Sequence, residues 1–151
     1  MKPEIIVLCG IPCSGKSTWA KYQNEIHFRS TISRDHYRCV EGDGKYKFDY
    51  KLEDRVTEIC NTFYKNYTSV CFDIIIDNTH CSEKYLDYEI KRKPEGHTLR
   101  IIFFDCPLWK AYYRNVIRYF KTGKWIPFSV IRNMKRNYDK IDKKKYDMVY
   151  Q

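Results

Sequence analysis

The sequence has 151 residues, enough for one domain with a sizeable core. It has no apolar stretch of about 18 residues and no signal-peptide pattern. We therefore expect a protein of the cytoplasm, which includes the cytoplasm of a virus-infected host, and no membrane partner. Its seven cysteines are odd in number and form no C-x-x-C pair, which argues against a disulfide framework and a zinc site. The net charge is +9, and residues 109–145 alone contribute +10, because they hold 12 of the 28 basic and 2 of the 19 acidic residues. This favours a polyanionic partner over a merely solvated basic face.

A glycine loop near the N-terminus carries the strongest signal in the sequence. Residues 10–18 read GIPCSGKST and fit G-x-x-x-x-G-K-[ST], between an apolar strand-like run at 4–9 and a helix predicted over 16–24. Gly10 and Gly15 permit a tight turn whose N–H groups converge at a helix N-terminus, an arrangement that favours phosphate oxygens. A plain glycine turn is the alternative, and the flanking strand and helix argue against it.

The other residues of this loop have predicted roles in nucleotide binding. Lys16 is predicted to bridge the β- and γ-phosphates, and the Ser17 hydroxyl is predicted to hold Mg²⁺. The loop residues predicted to surround the nucleotide with them are Pro12, Cys13, Ser14 and Thr18.

The second polar cluster follows a short run at 28–33, which is predicted to form a strand and to bring SRDHYR to the carboxyl end of the sheet. Asp35 is the candidate to orient an acceptor hydroxyl and to take its proton as the γ-phosphoryl group leaves. Arg38 shares a helical face with Asp35 and is the candidate to hold a phosphate of the acceptor, with Arg34 beside it. The alternative is a helix cap with salt-bridged neighbours.

The middle of the chain alternates between helical and strand-like patterns. The predicted elements are a polar glycine loop at 41–45, a helix at 50–67, a buried parallel strand at 73–77, a helix at 83–93 and a strand at 98–104. Asp77, at the end of the central strand, is a candidate to order Mg²⁺-bound water or to position a neighbouring group, and Asn78 and Thr79 follow it.

A basic helix is predicted over 108–120, with Pro107 in its first turn. Arg114 and Arg118 are four residues apart and therefore share one face of this helix. With the basic loop that follows, the segment 112–127 is predicted to act as a lid whose arginines neutralise charge on the γ-phosphoryl group. A solvated basic face is the alternative.

The C-terminal pattern ends in a helix predicted over 127–140 and a polar tail at 142–151, for which no structure is predicted. Strands that alternate with helices indicate an α/β domain over residues 1–151. Its small parallel sheet of four to five strands would be joined by right-handed crossovers and covered by helices on both faces.

Together these motifs resemble the 5′-kinase domain of phage polynucleotide kinase and the related P-loop kinases. The resemblance runs from about residue 3 to 141. It rests on GIPCSGKSTWA, SRDHYR, IIIDNTH, FDCP and RNVIR, of which the first two are the most specific. The third motif departs from the family's Asp-Thr-Asn pattern, because Asn78-Thr79-His80 stands there with the acid one position earlier, at Asp77.

The resemblance implies a P-loop kinase fold and transfer of the γ-phosphoryl group of ATP, with Mg²⁺, to a 5′-hydroxyl end of DNA or RNA. It assigns ATP·Mg binding to Lys16 and Ser17, the base to Asp35, the grip on the acceptor phosphate to Arg38 and transition-state stabilisation to Arg118. The substrate side also includes Arg34, Asp77, Asn78 and Thr79, and the nucleotide side includes Arg114.

Three alternatives to this function stay open at this point. The acceptor could be a hydroxymethylated base in DNA or a small hydroxyl metabolite, since the same base and lid would serve either one. A protein of another class, a nucleotide-dependent switch without transfer, would need the glycine loop alone.

Trp125 and Tyr119 are candidates to stack on a nucleic-acid base, with packing inside the lid as their alternative role.

Overall fold

The computed structural model describes residues 2–41 and 48–150. The strands are β1 (Glu4–Cys9), β2 (Ser30–Ile32), β3 (Ile74–Ile76), β4 (Thr98–Phe103) and β5 (Val149–Tyr150). The helices are α1 (Lys16–His27), α2 (Arg34–Glu41), α3 (Tyr50–Ser69), α4 (Glu83–Lys91), α5 (Leu108–Thr122) and α6 (Phe128–Tyr138), with a short 3-10 helix at Lys143–Tyr146.

The strands form one sheet in the order β2-β3-β1-β4-β5. β1 lies at its centre and pairs in parallel with β3 and β4, so that Ile5 stands opposite both Ile74 and Leu99. β2 pairs in parallel with β3, whereas β5 pairs antiparallel with β4. The α/β prediction with a parallel sheet of four to five strands is confirmed.

Both faces of the sheet are covered by helices. Successive side chains of a strand point to opposite faces and therefore join different hydrophobic clusters. Ile5 and Val7 of β1 join the larger core, to which α3, α4 and α6 contribute apolar side chains. Ile6 and Leu8 point to the opposite face and pack with α1. Strands buried on both faces are uniformly apolar, which explains why β1 and β3 read as continuous hydrophobic runs.

The C-terminal tail departs from the sequence prediction. The sequence pattern predicts no element over residues 142–151, but Lys143–Tyr146 form the 3-10 helix and Val149–Tyr150 form the edge strand β5. Tyr146 is only 1% exposed, its ring lies 6.4 Å from that of Phe103, and its hydroxyl donates a 2.8 Å hydrogen bond to Asp87. One buried aromatic side chain thus anchors a segment that is otherwise polar.

The other predicted elements are found with shifted ends. α1 continues to His27, three residues beyond its predicted end, and α5 continues to Thr122, where Gly123 ends it with a φ of 71°. Glu41, the first residue of the predicted glycine loop, closes α2, while residues 42–45 lie outside the described residues. Across residues 2–41 and 48–150, none of the helices combines the length and hydrophobicity needed to cross a bilayer.

Candidate active site at the glycine loop

The glycine loop connects β1 to α1 in a tightly packed turn. Gly10 has no room for a side chain, since a Cβ there would lie 2.9 Å from both the Phe104 carbonyl oxygen and the Ser14 hydroxyl. Gly15 caps α1 with a φ of 105°, a left-handed conformation that glycine adopts without strain. Cys13 also has a positive φ, of 65°. The loop therefore ends at the N-terminus of α1, whose first N–H groups can receive a phosphate.

Lys16 is buried at the first position of α1 and reaches back over the loop. Its ammonium donates to the carbonyl oxygens of Gly10 and Ile11, at 2.7 and 2.8 Å, and to the Ser14 hydroxyl at 3.3 Å. Burial lowers the pKa of Lys16, and the nearby carboxylate of Asp77 opposes that shift. The lysine is thus held against the loop, at the N-terminus of α1.

Asp77 follows β3 directly and meets the glycine loop from the neighbouring strand. Its N–H donates to the Ile32 carbonyl at 2.9 Å, and its side chain is buried. Burial raises the pKa of Asp77, while a hydrogen bond with the Ser17 hydroxyl and the charge of Lys16 act to lower it. A hydroxyl and a carboxylate therefore lie together beside the loop.

These oxygen atoms suit Mg²⁺, a hard cation that is commonly bound by one or two protein oxygens together with phosphate oxygens and water. P-loop proteins hold the ion with the serine of the loop and a strand-end aspartate, the roles that Ser17 and Asp77 match in type and placement. In the part of the chain that the structure describes, no cluster of three or more His, Cys, Asp or Glu side chains could hold a metal by itself.

Asp35, the predicted acceptor residue, lies in the first turn of α2 and is held by two cations. Arg38 donates to its Oδ1 at 2.9 Å, and Lys124 of the loop after α5 donates to its Oδ2. Burial acts to raise the pKa of Asp35, but the charges and hydrogen bonds of Lys124 and Arg38 outweigh it and hold the pKa below its ordinary value. The carboxylate still has 49% of its side-chain surface exposed, so an acceptor can reach it.

Glu53, at the start of α3, was not identified from the sequence and organises this cluster. It accepts hydrogen bonds from Arg38 through both of its oxygens and from Arg34 at 2.8 Å. Arg34 also donates to the Thr57 hydroxyl at 2.9 Å. The i, i+4 spacing of the two arginines could have suggested a shared acidic partner, but nothing in the pattern identified which acid it is.

Asn78 and Thr79 lie where the predicted third motif places them, at the end of β3. The Asn78 side-chain oxygen accepts from the N–H of Arg34 at 3.3 Å, at the start of α2. The Thr79 carbonyl accepts from the N–H of Gly10 at 2.9 Å. The motif therefore connects the start of α2 to the glycine loop.

Helix α5 packs its arginines against the glycine loop. Arg114 donates to the Cys13 carbonyl at 3.0 Å, and Arg118 donates to the Asn115 side-chain oxygen at 2.9 Å. The buried Nε of Arg118 has no acceptor among the described residues. A cleft of about 700 Å³ separates α5 from α1 and the loop, and it is lined by residues 13–19, Tyr22, Arg114 and Arg118. A cleft of this size beside the loop, with two arginines along its wall, fits the phosphates of a nucleotide.

The loop after α5 is fixed by Asn115, whose side chain is fully buried. Its amide nitrogen donates to the Ile126 carbonyl at 2.8 Å, and its oxygen accepts from the Ile126 N–H at 3.3 Å. Trp125 packs beside it, with ring centroids 5.8 Å from Tyr119 and 5.0 Å from Phe128. Both of the aromatic residues considered for base stacking thus take part in packing within the predicted lid segment.

The structure therefore brings together most of the predicted site. The loop residues Lys16 and Ser17 lie beside Asp77, and Arg114 and Arg118 approach the same cleft. Pro12 lies in the turn of the loop, and Thr18 lines the cleft. Arg34 and Arg38, predicted to bind substrate, both contact Glu53 on α3, and Lys124 is a further residue of this cluster that no motif in the sequence identified.

The overall structure is similar to several solved structures. A chain of the Pnkp1/Rnl/Hen1 RNA repair complex is 27% identical, with a TM-score of 0.84 over 96% of this chain and 46% of that one. A gluconokinase from Sinorhizobium meliloti is 17% identical, with a TM-score of 0.55 over 90% of this chain and 75% of that one. Shikimate kinase from Acinetobacter baumannii is 13% identical, with a TM-score of 0.55 over 91% and 78%.

The last two similarities concern the fold alone, and this chain spans less than half of the RNA repair protein that it resembles. The model of the AAA domain family matches residues 5–141, which is most of the chain. The predicted P-loop kinase fold is thereby confirmed, and such a fold implies nucleotide binding. The chain belongs to the AAA domain family, and its fold is that of the P-loop kinases.

Proposed function

We propose that this protein is an ATP- and Mg²⁺-dependent kinase that transfers the γ-phosphoryl group to a 5′-hydroxyl end of DNA or RNA. The observation that carries the proposal is the position of Asp35, an ionised and half-exposed carboxylate beside Arg38 and under a loop of the predicted lid. A binding protein or switch has no need of such a group, whereas a kinase needs one to orient the acceptor.

The proposed reaction is a single displacement. The acceptor oxygen forms a bond to the γ-phosphorus, the bond from that phosphorus to the bridging oxygen of ADP breaks, and the hydroxyl proton passes to Asp35. Lys16 and the loop N–H groups hold the phosphates, while Arg118 neutralises charge on the transferred group. Mg²⁺, bound through Ser17 with Asp77 beside it, would neutralise charge on the β- and γ-phosphates.

The surface charge supports a nucleic-acid acceptor over a small metabolite. The C-terminal quarter exposes basic side chains to solvent, among them Lys110, Lys121, Arg132, Arg136, Lys140 and Lys144. Exposed basic side chains neutralise phosphates along a strand, which a small sugar or a shikimate-like acceptor does not offer. The similarity to a chain of an RNA repair complex supports the same choice.

The experiment measures transfer from γ-labelled ATP to a panel of acceptors. The panel contains a 5′-hydroxyl DNA oligonucleotide, its RNA counterpart, the 5′-phosphorylated forms of both, DNA with hydroxymethylated bases, and small hydroxyl metabolites including gluconate and shikimate. We expect label on the 5′-hydroxyl oligonucleotides and none on the blocked forms. Label only on modified DNA or on a metabolite would replace the proposed acceptor, and ATP binding without any transfer would favour a switch.

The role of Asp35 is tested with Asp35→Asn, which keeps the size of the side chain and removes its basicity. We expect turnover to fall by about 100-fold or more while ATP affinity stays unchanged. Asp54→Asn, on the exposed face of α3, is the matched control and should keep full activity. Unchanged turnover in Asp35→Asn would show that this carboxylate is not the base.

A further inference from the structure

The ion pair between Lys124 and Asp35 joins two segments that are 89 residues apart in the sequence. Lys124 lies between α5 and α6, within the predicted lid, whereas Asp35 belongs to the acceptor motif on α2. The side chain of Lys124 is only 11% exposed. An ammonium so deeply covered, with a carboxylate as its partner, differs from the loosely paired lysines of a solvated surface.

The loop that carries Lys124 is held in place at both ends. Gly123 ends α5 with a positive φ, and its N–H donates to the Tyr119 carbonyl at 2.8 Å. On the other side, the buried Asn115 holds both backbone groups of Ile126. The backbone is held on each side of Lys124, and the loop packs over the acceptor motif with Lys124 in contact with Asp35.

The charges around this ion pair come from every part of the site. Two cations face Asp35: Lys124, which belongs to the lid, and Arg38, which belongs to the same helix as Asp35. The charge of Asp35 also acts on Lys16 in the glycine loop and on Asp77 after β3. The ion pair therefore lies between the acceptor motif and the phosphate-binding loop.

The lid arginine is also part of this environment. Burial lowers the pKa of Lys124, Asp35 opposes that shift, and repulsion from Arg118 and Arg38 adds to it. Lys124 and Arg118 are thus close enough to interact. One lid segment consequently directs two cations into the same region, one toward Asp35 and one toward the nucleotide cleft.

We propose that Lys124 is a positioning residue that couples closure of the lid to the orientation of Asp35, so that the base is correctly aligned only under a closed lid. This inference rests on the proposed kinase function. Lys124 donates hydrogen bonds throughout and gives up no proton, since the proton of the acceptor hydroxyl goes to Asp35.

The physical reason lies in the geometry of the carboxylate. With Arg38 on Oδ1 and Lys124 on Oδ2, the plane of the Asp35 carboxylate is fixed, and each oxygen keeps a further lone pair for an acceptor. A neighbouring ammonium weakens a carboxylate as a base, but phosphoryl transfer passes through a loose transition state in which orientation contributes more than base strength.

The test compares Lys124→Met, which removes the charge and keeps the length, with Lys124→Arg, which restores a donor. Lys65→Met, exposed on α3 and outside the predicted lid, is the control. The first readout is a carbon-13 NMR titration of the Asp35 carboxyl, assigned by its disappearance in Asp35→Asn. We expect the pKa of Asp35 to rise in Lys124→Met, to return toward the wild-type value in Lys124→Arg, and to be unaffected in Lys65→Met.

The second readout is kinetic. We expect Lys124→Met to lower kcat on a 5′-hydroxyl oligonucleotide roughly 10- to 100-fold, the range that a displaced catalytic group costs, with ATP affinity unchanged. The acid limb of its pH–rate profile should move to higher pH, and Lys124→Arg should recover a large part of kcat.

The two proposals fail in different ways. An unchanged Asp35 titration in Lys124→Met would overturn the coupling, whatever the activity of the protein. A raised Asp35 pKa together with unchanged kcat would also overturn it, since the ion pair would then be structural only. If the wild-type protein transfers no phosphate to any acceptor, the kinase proposal fails and the positioning role fails with it, even where the titration reveals the ion pair.

Discussion

Glu53 binds the guanidinium of Arg38 through both of its oxygens, with Nε–Oε1 and Nη2–Oε2 distances of 2.7 and 2.8 Å. Arg38 keeps its remaining terminal nitrogen, Nη1, for Asp35. A two-point contact between a planar guanidinium and a carboxylate fixes the orientation of both groups. Glu53 therefore sets the direction from which Arg38 approaches the acceptor motif.

The first prediction follows for Glu53→Gln, which keeps the shape of the side chain but removes its charge. We expect the KM for a 5′-hydroxyl oligonucleotide to rise several-fold, because Arg38 and Arg34 lose their fixed orientation, while ATP affinity stays the same. Steady-state kinetics at saturating ATP measure the effect. Glu58→Gln, exposed on the same helix, is the control, and an equal change in both variants would contradict a specific role for Glu53.

The second prediction concerns stability in acid. Hydrogen bonds from Arg38, opposed by burial and reinforced by Arg34, lower the pKa of Glu53 from an ordinary 4.5 to about 2. A carboxyl with a depressed folded-state pKa stabilises the fold above its unfolded pKa and loses that contribution as the pH falls toward the folded one. Wild type should therefore be more stable than Glu53→Gln near neutral pH, and the difference should shrink between about pH 4.5 and about pH 2.

Urea unfolding of both proteins across this range measures the difference. We expect the difference in unfolding free energy between wild type and Glu53→Gln to shrink as the pH falls. The difference between wild type and Asp54→Asn should not change in this way. A constant difference between wild type and Glu53→Gln over the whole range would mean that the variant acts through packing and not through the charge of Glu53.

The features that could be predicted from the sequence are local ones. The glycine loop needs only Gly10, Gly15 and Lys16 in their spacing, with an apolar run before and a helical pattern after. β3 could be predicted because its run of isoleucines is buried on both faces. In such segments the signal lies within a few consecutive residues.

The features that were missed depend on contacts between distant segments. Lys124 is one basic residue among many in its region, and only the packing of the loop brings it to Asp35. The strand β5 has two residues, which is too short for a periodic pattern, and its position depends on the burial of Tyr146 nearby. Spacing along the chain contains no information on such pairs.

The third prediction concerns Gly10→Ala. The added methyl group would lie 2.9 Å from a backbone carbonyl oxygen, that of Phe104, so the loop or β4 must move. We expect a loss of about 1–3 kcal/mol in the free energy of unfolding, together with weaker ATP binding. Thermal unfolding and nucleotide titration measure the two effects.

Gly96→Ala is the control for this prediction, because it distinguishes a general loss of stability from a specific effect on ATP binding. Gly96 has a φ of 83° and open space around its Cβ direction, so the substitution strains the backbone far from the nucleotide cleft. It should lower stability without changing ATP affinity. If Gly10→Ala behaves in the same way, the packing of Gly10 serves the fold and not the phosphate site.

The fourth prediction distinguishes the two arginines of α5. Arg114 donates to the Cys13 carbonyl, so Arg114→Ala removes a contact that joins the lid helix to the glycine loop, and we expect weaker ATP binding with a modest loss of kcat. Arg118 contacts Asn115 within its own helix, and its Nε has no acceptor among the described residues. We expect Arg118→Ala to lower kcat by about 1,000-fold or more, as for other arginines that stabilise the transferred phosphoryl group.

ATP affinity decides the outcome for Arg118. If its guanidinium acts on charge that develops during transfer, Arg118→Ala should bind ATP nearly as tightly as wild type, because the interaction is made mainly in the transition state. Isothermal titration with ATP, beside single-turnover kinetics, separates the two quantities. A collapse of ATP affinity in Arg118→Ala, with kcat reduced only in proportion, would assign Arg118 to ground-state binding and leave the transition state without a lid arginine.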